Sequence, residues 1–193
     1  MKDKLIVYLD MDGVLVDWFE GVREFVGKPQ SYHQRFHDDP DSFDEDTVNA
    51  LYGESEIRKI NFDRPPEFWV NLKKFSWADK LINALKKEYE VVFFSSPGDN
   101  PNSAQGKVIW QLKYHPDIPL ILGKHKHLAA AKNKVLIDDN KRKIASFNLY
   151  GGYTIKWPSQ FALFKLSEES IDAFIKTVIE SIETYRSANG LTK

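Results

Sequence analysis

The chain has 193 residues, 42% hydrophobic and 28% charged, enough for one buried core and a small accessory lobe. A formal net charge of −1, with Lys and Arg spread along the chain, gives no strong field for gripping a polynucleotide and favours a small substrate. The absence of cysteine excludes disulfides, thiolate catalysis and thiolate-ligated zinc, so a metal must sit on oxygen or histidine. No apolar run reaches the roughly 18 residues of a membrane span. Met1-Lys2-Asp3-Lys4 leads directly into a strand-like segment, so a soluble, cytoplasmic protein is expected.

In chain order, the first element is an apolar run, Leu5 to Leu9, read as a buried strand. It delivers Asp10-Met11-Asp12-Gly13-Val14-Leu15-Val16-Asp17 to the carboxyl edge of a sheet, where open α/β proteins bind ligands. Gly13 permits a tight course that turns Asp12 back toward the pocket of Asp10. Two carboxylates there repel each other and any phosphate, so a hard divalent cation is needed between them.

The stretch from Trp18 to Trp77 has helix-like segments, an acidic patch and no convincing strand, and reads as an insert. Its patch, Asp38-Asp39-Pro40-Asp41 with Asp44, Glu45 and Asp46, lacks the glycine and terminal glutamate of an EF-hand and reads as a solvated turn before a helix.

Strand and helix then alternate: a helix over Lys80 to Lys87, a strand Val91 to Phe94, a helix Gly106 to Lys113, a strand Leu120 to Leu122, a helix His125 to Lys132, a strand Val135 to Ile137, a helix Lys141 to Phe147 and a strand Tyr153 to Ile155. This is the pattern of an open parallel sheet with right-handed crossovers. A last helix, Glu168 to Arg186, carries Ile171, Phe174, Ile175, Val178, Ile179 and Ile182 on one face, with Ser167 as its N-cap.

Two further groups lie at strand ends, and a third opens a helical segment. Ser95-Ser96-Pro97 offers a hydroxyl and backbone N–H groups that hold a phosphoryl oxygen without adding negative charge. Lys107, twelve residues after Ser95, can neutralise a transferred phosphoryl group, with Lys113, Lys124 and Lys126 as competitors for that role. Asp138-Asp139 closes its strand, and paired buried acids need a counter-charge, which a cation shared with Asp10 supplies.

In this order and placement the four motifs resemble the haloacid dehalogenase (HAD) superfamily, and within it the 5'(3')-deoxyribonucleotidases. The second likeness rests on Asp10 to Asp17, Phe68-Trp69 with Leu72, Phe94-Ser95-Ser96-Pro97, Lys107 with Trp110, and Leu136-Ile137-Asp138-Asp139. The resemblance implies an α/β, Rossmann-like open parallel sheet flanked by helices. Residues 1–17 and 78–193 would form the catalytic core, and residues 18–77 a small helical cap that restricts access to small substrates.

It further implies a Mg2+-dependent phosphomonoesterase acting on (deoxy)nucleoside monophosphates. Asp10 would be the nucleophile, Asp12 the general acid and base, and Ser95 and Lys107 the groups that orient and neutralise the phosphoryl group. Mg2+ would be held by Asp10, the carbonyl of Asp12 and an acid from Asp138 or Asp139; Trp18, Phe19, Phe68, Trp69 and Ser96 would contact the substrate. Ser95-Ser96 departs from the usual Thr-Ser, and Asn140 replaces a common basic residue. Two other readings stay open: a phosphatase of another small metabolite or of a polynucleotide 3'-phosphate, and a non-catalytic binding protein. Homodimerisation is also left open.

Overall fold

The computed structural model describes residues 4–40, 51 and 64–193. Parallel strands β1 (Ile6–Leu9), β2 (Glu90–Ser95), β3 (Leu120–Leu122), β4 (Lys134–Asp138) and β5 (Tyr153–Lys156) form one sheet in the order β3-β2-β1-β4-β5. All five strands predicted from apolar runs are present, with ends displaced by a residue at most. Alternate side chains enter opposite layers. Val7, Leu9, Val91, Phe93, Val135 and Ile137 join the larger core, and Tyr8, Val92, Phe94 and Leu136 join a smaller one around Phe147.

Among the described residues the helices are α1 (Trp18–Phe25), α2 (Gln34–Asp38), α3 (Glu67–Val70), α4 (Ala78–Glu88), α5 (Pro101–Tyr114), α6 (Lys141–Leu149), α7 (Gln160–Leu163) and α8 (Glu168–Ala188). The expected stripe of α8 buries Ile171, Ile175, Val178 and Ile182, which join the larger core with Leu81, Ile82 and Leu85 of α4. Ser167 caps α8 by accepting the Ser170 N–H at 3.3 Å. The helix expected over His125 to Lys132 does not form. A single 3-10 turn, Lys126–Ala129, replaces it, and Ala130 is already extended. The reason is Lys126, whose side chain turns inward to buried carboxylates, so the segment is shaped by that ion pair rather than by helical spacing. Of the acidic patch, Asp38 ends α2, while Asp41, Asp44, Glu45 and Asp46 lie outside the described residues.

Strand register brings the motifs to one edge. Leu9 lies opposite Phe93 on one side and Ile137 on the other, and the Asp10 N–H donates to the Ile137 carbonyl at 3.0 Å. Asp10, Ser95 and Asp138 therefore leave β1, β2 and β4 at similar height. After β2 and β3 the chain returns to the far side of β1 to form β4, so the strand order reverses at β1, where a crevice opens.

A smaller cluster of Phe19, Val22, Phe36 and Phe161 packs around the face of α1. His33 is stacked on Phe19 with ring centroids 4.0 Å apart and is 1% exposed. Burial holds its pKa down to about 4, against the pull of Glu20. An unfolded chain protonates this imidazole near its ordinary 6.5, so between these values the unfolded state binds the extra proton and stability falls as pH drops. His33→Phe keeps a ring on Phe19 and removes the titration. Urea unfolding at pH 7 and pH 4.5 should show the parent losing roughly 1–3 kcal/mol more than the variant. Equal losses would remove His33 as a source of acid sensitivity.

Candidate active site

The loop after β1 is built to aim Asp12. The Gly13 N–H donates to the Val16 carbonyl, and the Val16 N–H returns to Met11, each at 3.0 Å. Gly13 has φ +76°, and a Cβ there would lie 2.1 Å from Asp139 Oδ2, so the residue meets both a conformational and a steric demand. The Trp77 indole donates to the Val14 carbonyl at 2.9 Å and fixes the loop from the core side. Gly13→Ala should therefore displace Asp139 and strain the turn, at a cost of about 1–3 kcal/mol. Phosphatase assays should show at least a tenfold fall at temperatures where circular dichroism shows the variant folded; unaltered activity would mean that Asp139 moves without consequence.

Asp12 turns toward α5. Lys107, 2% exposed, donates to Asp12 Oδ2 and to Ser95 Oγ, the latter at 2.9 Å. Asp12 Oδ1 is buried with no hydrogen-bond partner among the described residues. Lys107, Asp12 and Ser95 thus come together as the sequence predicts, although Lys107 touches Asp12 rather than Asp10.

Asp10 is served by two lysines that sequence reasoning did not assign. Lys126 Nζ lies 2.8 Å from Asp10 Oδ1 and 2.6 Å from Asp138 Oδ2, and Lys143 Nζ lies 3.4 Å from Asp10 Oδ2. Lys126 appeared only as a competitor of Lys107, and Lys143 not at all. Their signals were modest: a lysine just beyond a short strand, and one four residues after Asp139 on the first turn of α6. Burial works against ionisation of Asp10, but the charges of Lys126 and Lys143 outweigh it and hold its carboxyl well below the usual range. That suits an anionic nucleophile. Burial pushes Asp138 and Asp139 above the usual carboxylate range, with the Asp10 charge adding to Asp138, and the charges of Asp138 and then Asp10 adding to Asp139.

Asp10, Asp138 and Asp139 each offer an oxygen, and these atoms lie within 4.8 Å of one another. An all-carboxylate set fits a hard cation such as Mg2+ or Mn2+ and not a thiophilic metal. The Asp12 side chain is committed to Lys107 and stands outside this triad.

The aromatic residues are placed unevenly. Trp69 is 4% exposed in the larger core, and Phe19 is 2% exposed in the smaller cluster. Trp18 and Phe68 are partly exposed and pack against both. Phe68 also lines a cavity of about 420 Å³ with Asp17, Glu20, Phe25, Asn71 and Lys73. Ser96 is partly exposed, its hydroxyl 3.5 Å from the Gly98 N–H.

An aspartate pair, a serine and buried lysines at the reversal point of a parallel sheet define a HAD-type phosphatase. A haloacid dehalogenase-like family hydrolase from Xanthomonas campestris shares the fold, with a TM-score of 0.53 at 14% identity over 98% of this chain and 94% of that one. Residues 4–159 match the family described as 5' nucleotidase, deoxy (pyrimidine), cytosolic type C protein, and the chain belongs to that family and so to the phosphoric monoester hydrolases. Relatives include the 5'(3')-deoxyribonucleotidase of Bacillus subtilis (strain 168) and that of Bacillus phage SPbeta. Each is 26% identical over 153 residues, spanning 75% of this chain and 81% of the relative. Among the described residues no helix is long and apolar enough to cross a membrane.

Proposed function

We propose that the protein dephosphorylates (deoxy)nucleoside monophosphates by way of an aspartyl phosphate, with Mg2+ held by Asp10, Asp138, Asp139 and the Asp12 carbonyl. The observation that carries this reading is the meeting of Asp10, Asp12, Ser95 and Lys107 with the acid triad at one sheet edge. The names of the Bacillus and phage relatives support the choice of substrate.

Asp10 attacks phosphorus, the bond from phosphorus to the ester oxygen breaks, and Asp12 gives that oxygen its proton. Water then attacks the phosphoryl group, Asp12 takes its proton, and inorganic phosphate leaves as the Asp10 carboxylate is restored. Lys107 stands on Asp12 and Ser95 and keeps both oriented, while Ser95 and Ser96 hold phosphoryl oxygens. Bound Mg2+ supplies the charge that lets an anionic nucleophile approach an anionic substrate.

Residues 18–77 act as the cap in this reading. Their two ends are tied together by hydrogen bonds from the Asp17 N–H to the Lys73 carbonyl (2.9 Å) and from the Phe75 N–H to the Leu15 carbonyl (3.0 Å). Trp18 and Phe68, the partly exposed pair among the four candidate aromatics, take the base, while Phe19 and Trp69 hold the surrounding walls.

Phosphate release should be measured over nucleoside monophosphates, sugar phosphates and an oligonucleotide 3'-phosphate, with Mg2+ and after chelation. Deoxynucleoside monophosphates should give the highest kcat/KM, and chelation should abolish turnover. Trp18→Ala and Phe68→Ala should each lower nucleotide use by about five- to 150-fold while sparing an aryl phosphate. Preference for sugar phosphates would overturn the substrate, and full activity after chelation would overturn the metal.

A further inference from the structure

Two lysines meet the same carboxylate pair in different ways. Lys126 makes short contacts to Asp10 Oδ1 (2.8 Å) and Asp138 Oδ2 (2.6 Å), and its side chain is 1% exposed. These are the lengths of charge-assisted hydrogen bonds, made by a group with no route to water. Lys143 faces the other oxygen of each acid, at 3.4 Å from Asp10 Oδ2 and 4.0 Å from Asp138 Oδ1, and its side chain is 28% exposed. Asp10 Oδ1 also accepts the Met11 N–H, so Oδ2 is the Asp10 oxygen left for another ligand, and among the described residues it faces Lys143.

A divalent cation drawing on Asp10, Asp138 and Asp139 must compete with the Lys143 ammonium for this ground, because like charges at such separations repel strongly. Lysine carries its charge on a flexible stem, and this one reaches solvent.

We propose that Lys143 is a resident counter-ion: it steadies the Asp10–Asp138 pair in the cation-free protein and swings out to water when a divalent cation binds, while Lys126 stays in place. The cluster is then never left as bare carboxylates, and cation entry is an exchange of one positive group for another. The inference rests on the metal half of the proposed function and is independent of the substrate.

Lysine acylation mapped by mass spectrometry tests this on the unmodified protein, chelated or with Mg2+ alone. Labelling of Lys143 should rise several-fold with Mg2+, while Lys126 stays protected in both states. In Lys143→Met, calorimetry should show Mg2+ bound about tenfold more tightly, since the competitor is gone. The cation-free variant should melt roughly 5 °C or more below the parent, and the Mg2+-saturated one beside it. Labelling of Lys143 that is unchanged or reduced by Mg2+ would overturn the proposal, as would an equal loss of Tm with and without Mg2+. Failure of the parent to bind Mg2+ at all would remove the metal reading itself, whereas binding without release of Lys143 would remove only this inference. Should Lys143→Met not fold, the labelling of the parent decides the matter alone.

Discussion

Asp10→Asn should fold like the parent and release phosphate at least about 10³-fold more slowly. The amide keeps the volume of the carboxylate but cannot act as an anionic nucleophile. It leaves the Asp10 N–H bond to the Ile137 carbonyl in the sheet, and its amide oxygen can still accept the Met11 N–H that Asp10 Oδ1 holds. Lys126 retains Asp138 as a partner at 2.6 Å, so the substitution does not strand a buried cation. Purified variant and parent should be compared by phosphate release at saturating Mg2+, with circular dichroism as the control for folding. Activity within tenfold of the parent would sink the nucleophile assignment, since of the two carboxylates that share Lys126 and Lys143 it is Asp10 that is held below the usual range while Asp138 is pushed above it.

Lys126→Met is expected to have the largest effect on stability. The methionine fills most of the lysine's volume but leaves Asp10 and Asp138, both essentially buried, facing each other across the place where Nζ stood. Removing one partner of a buried ionic cluster costs about 3–5 kcal/mol. For a chain of this size that lowers Tm by roughly 6–20 °C. Lys143 is too distant from Asp138 to compensate fully, at 4.0 Å. Activity should fall about 10²–10³-fold at a temperature where the variant remains folded, because the charge next to the nucleophile is lost. A Tm within 2–3 °C of the parent, together with unchanged kcat/KM, would show that Lys126 neither stabilises the acids nor serves the chemistry. Lys107→Met makes an informative companion. It should disturb Asp12 and Ser95 while leaving the Asp10–Asp138 pair with both remaining lysines.

How much was legible in advance differs from one residue to the next. Asp10, Asp12, Ser95, Asp138 and Asp139 announced themselves because each follows a short apolar run, and a strand end has one place to go in a parallel sheet. Lys107 was found by its spacing, but the acid it touches was not, since a side chain of that length reaches several positions around a strand end. The aromatics were harder. Trp18, Phe19, Phe68 and Trp69 look alike in the sequence, yet Phe19 and Trp69 are almost wholly enclosed while Trp18 and Phe68 keep part of their surface. The segment His125 to Lys132 was read wrongly as a helix because local spacing was the guide, whereas its shape answers to a partner in another strand.

The sequence by itself determined the five strands and their parallel direction, the carboxylates that end them and the family resemblance, because strand runs and strand-end residues are local signals that register carries into space. Only the tertiary structure decided which ammonium meets which carboxylate. Lys107, Lys126 and Lys143 stand on a helix, a 3-10 turn and another helix, and only the packing of those elements around β1 and β4 sends one to Asp12, one into the buried pair and one to its solvent side. Ion pairing acts through space across any sequence separation, and it leaves no periodicity in the chain from which it can be read.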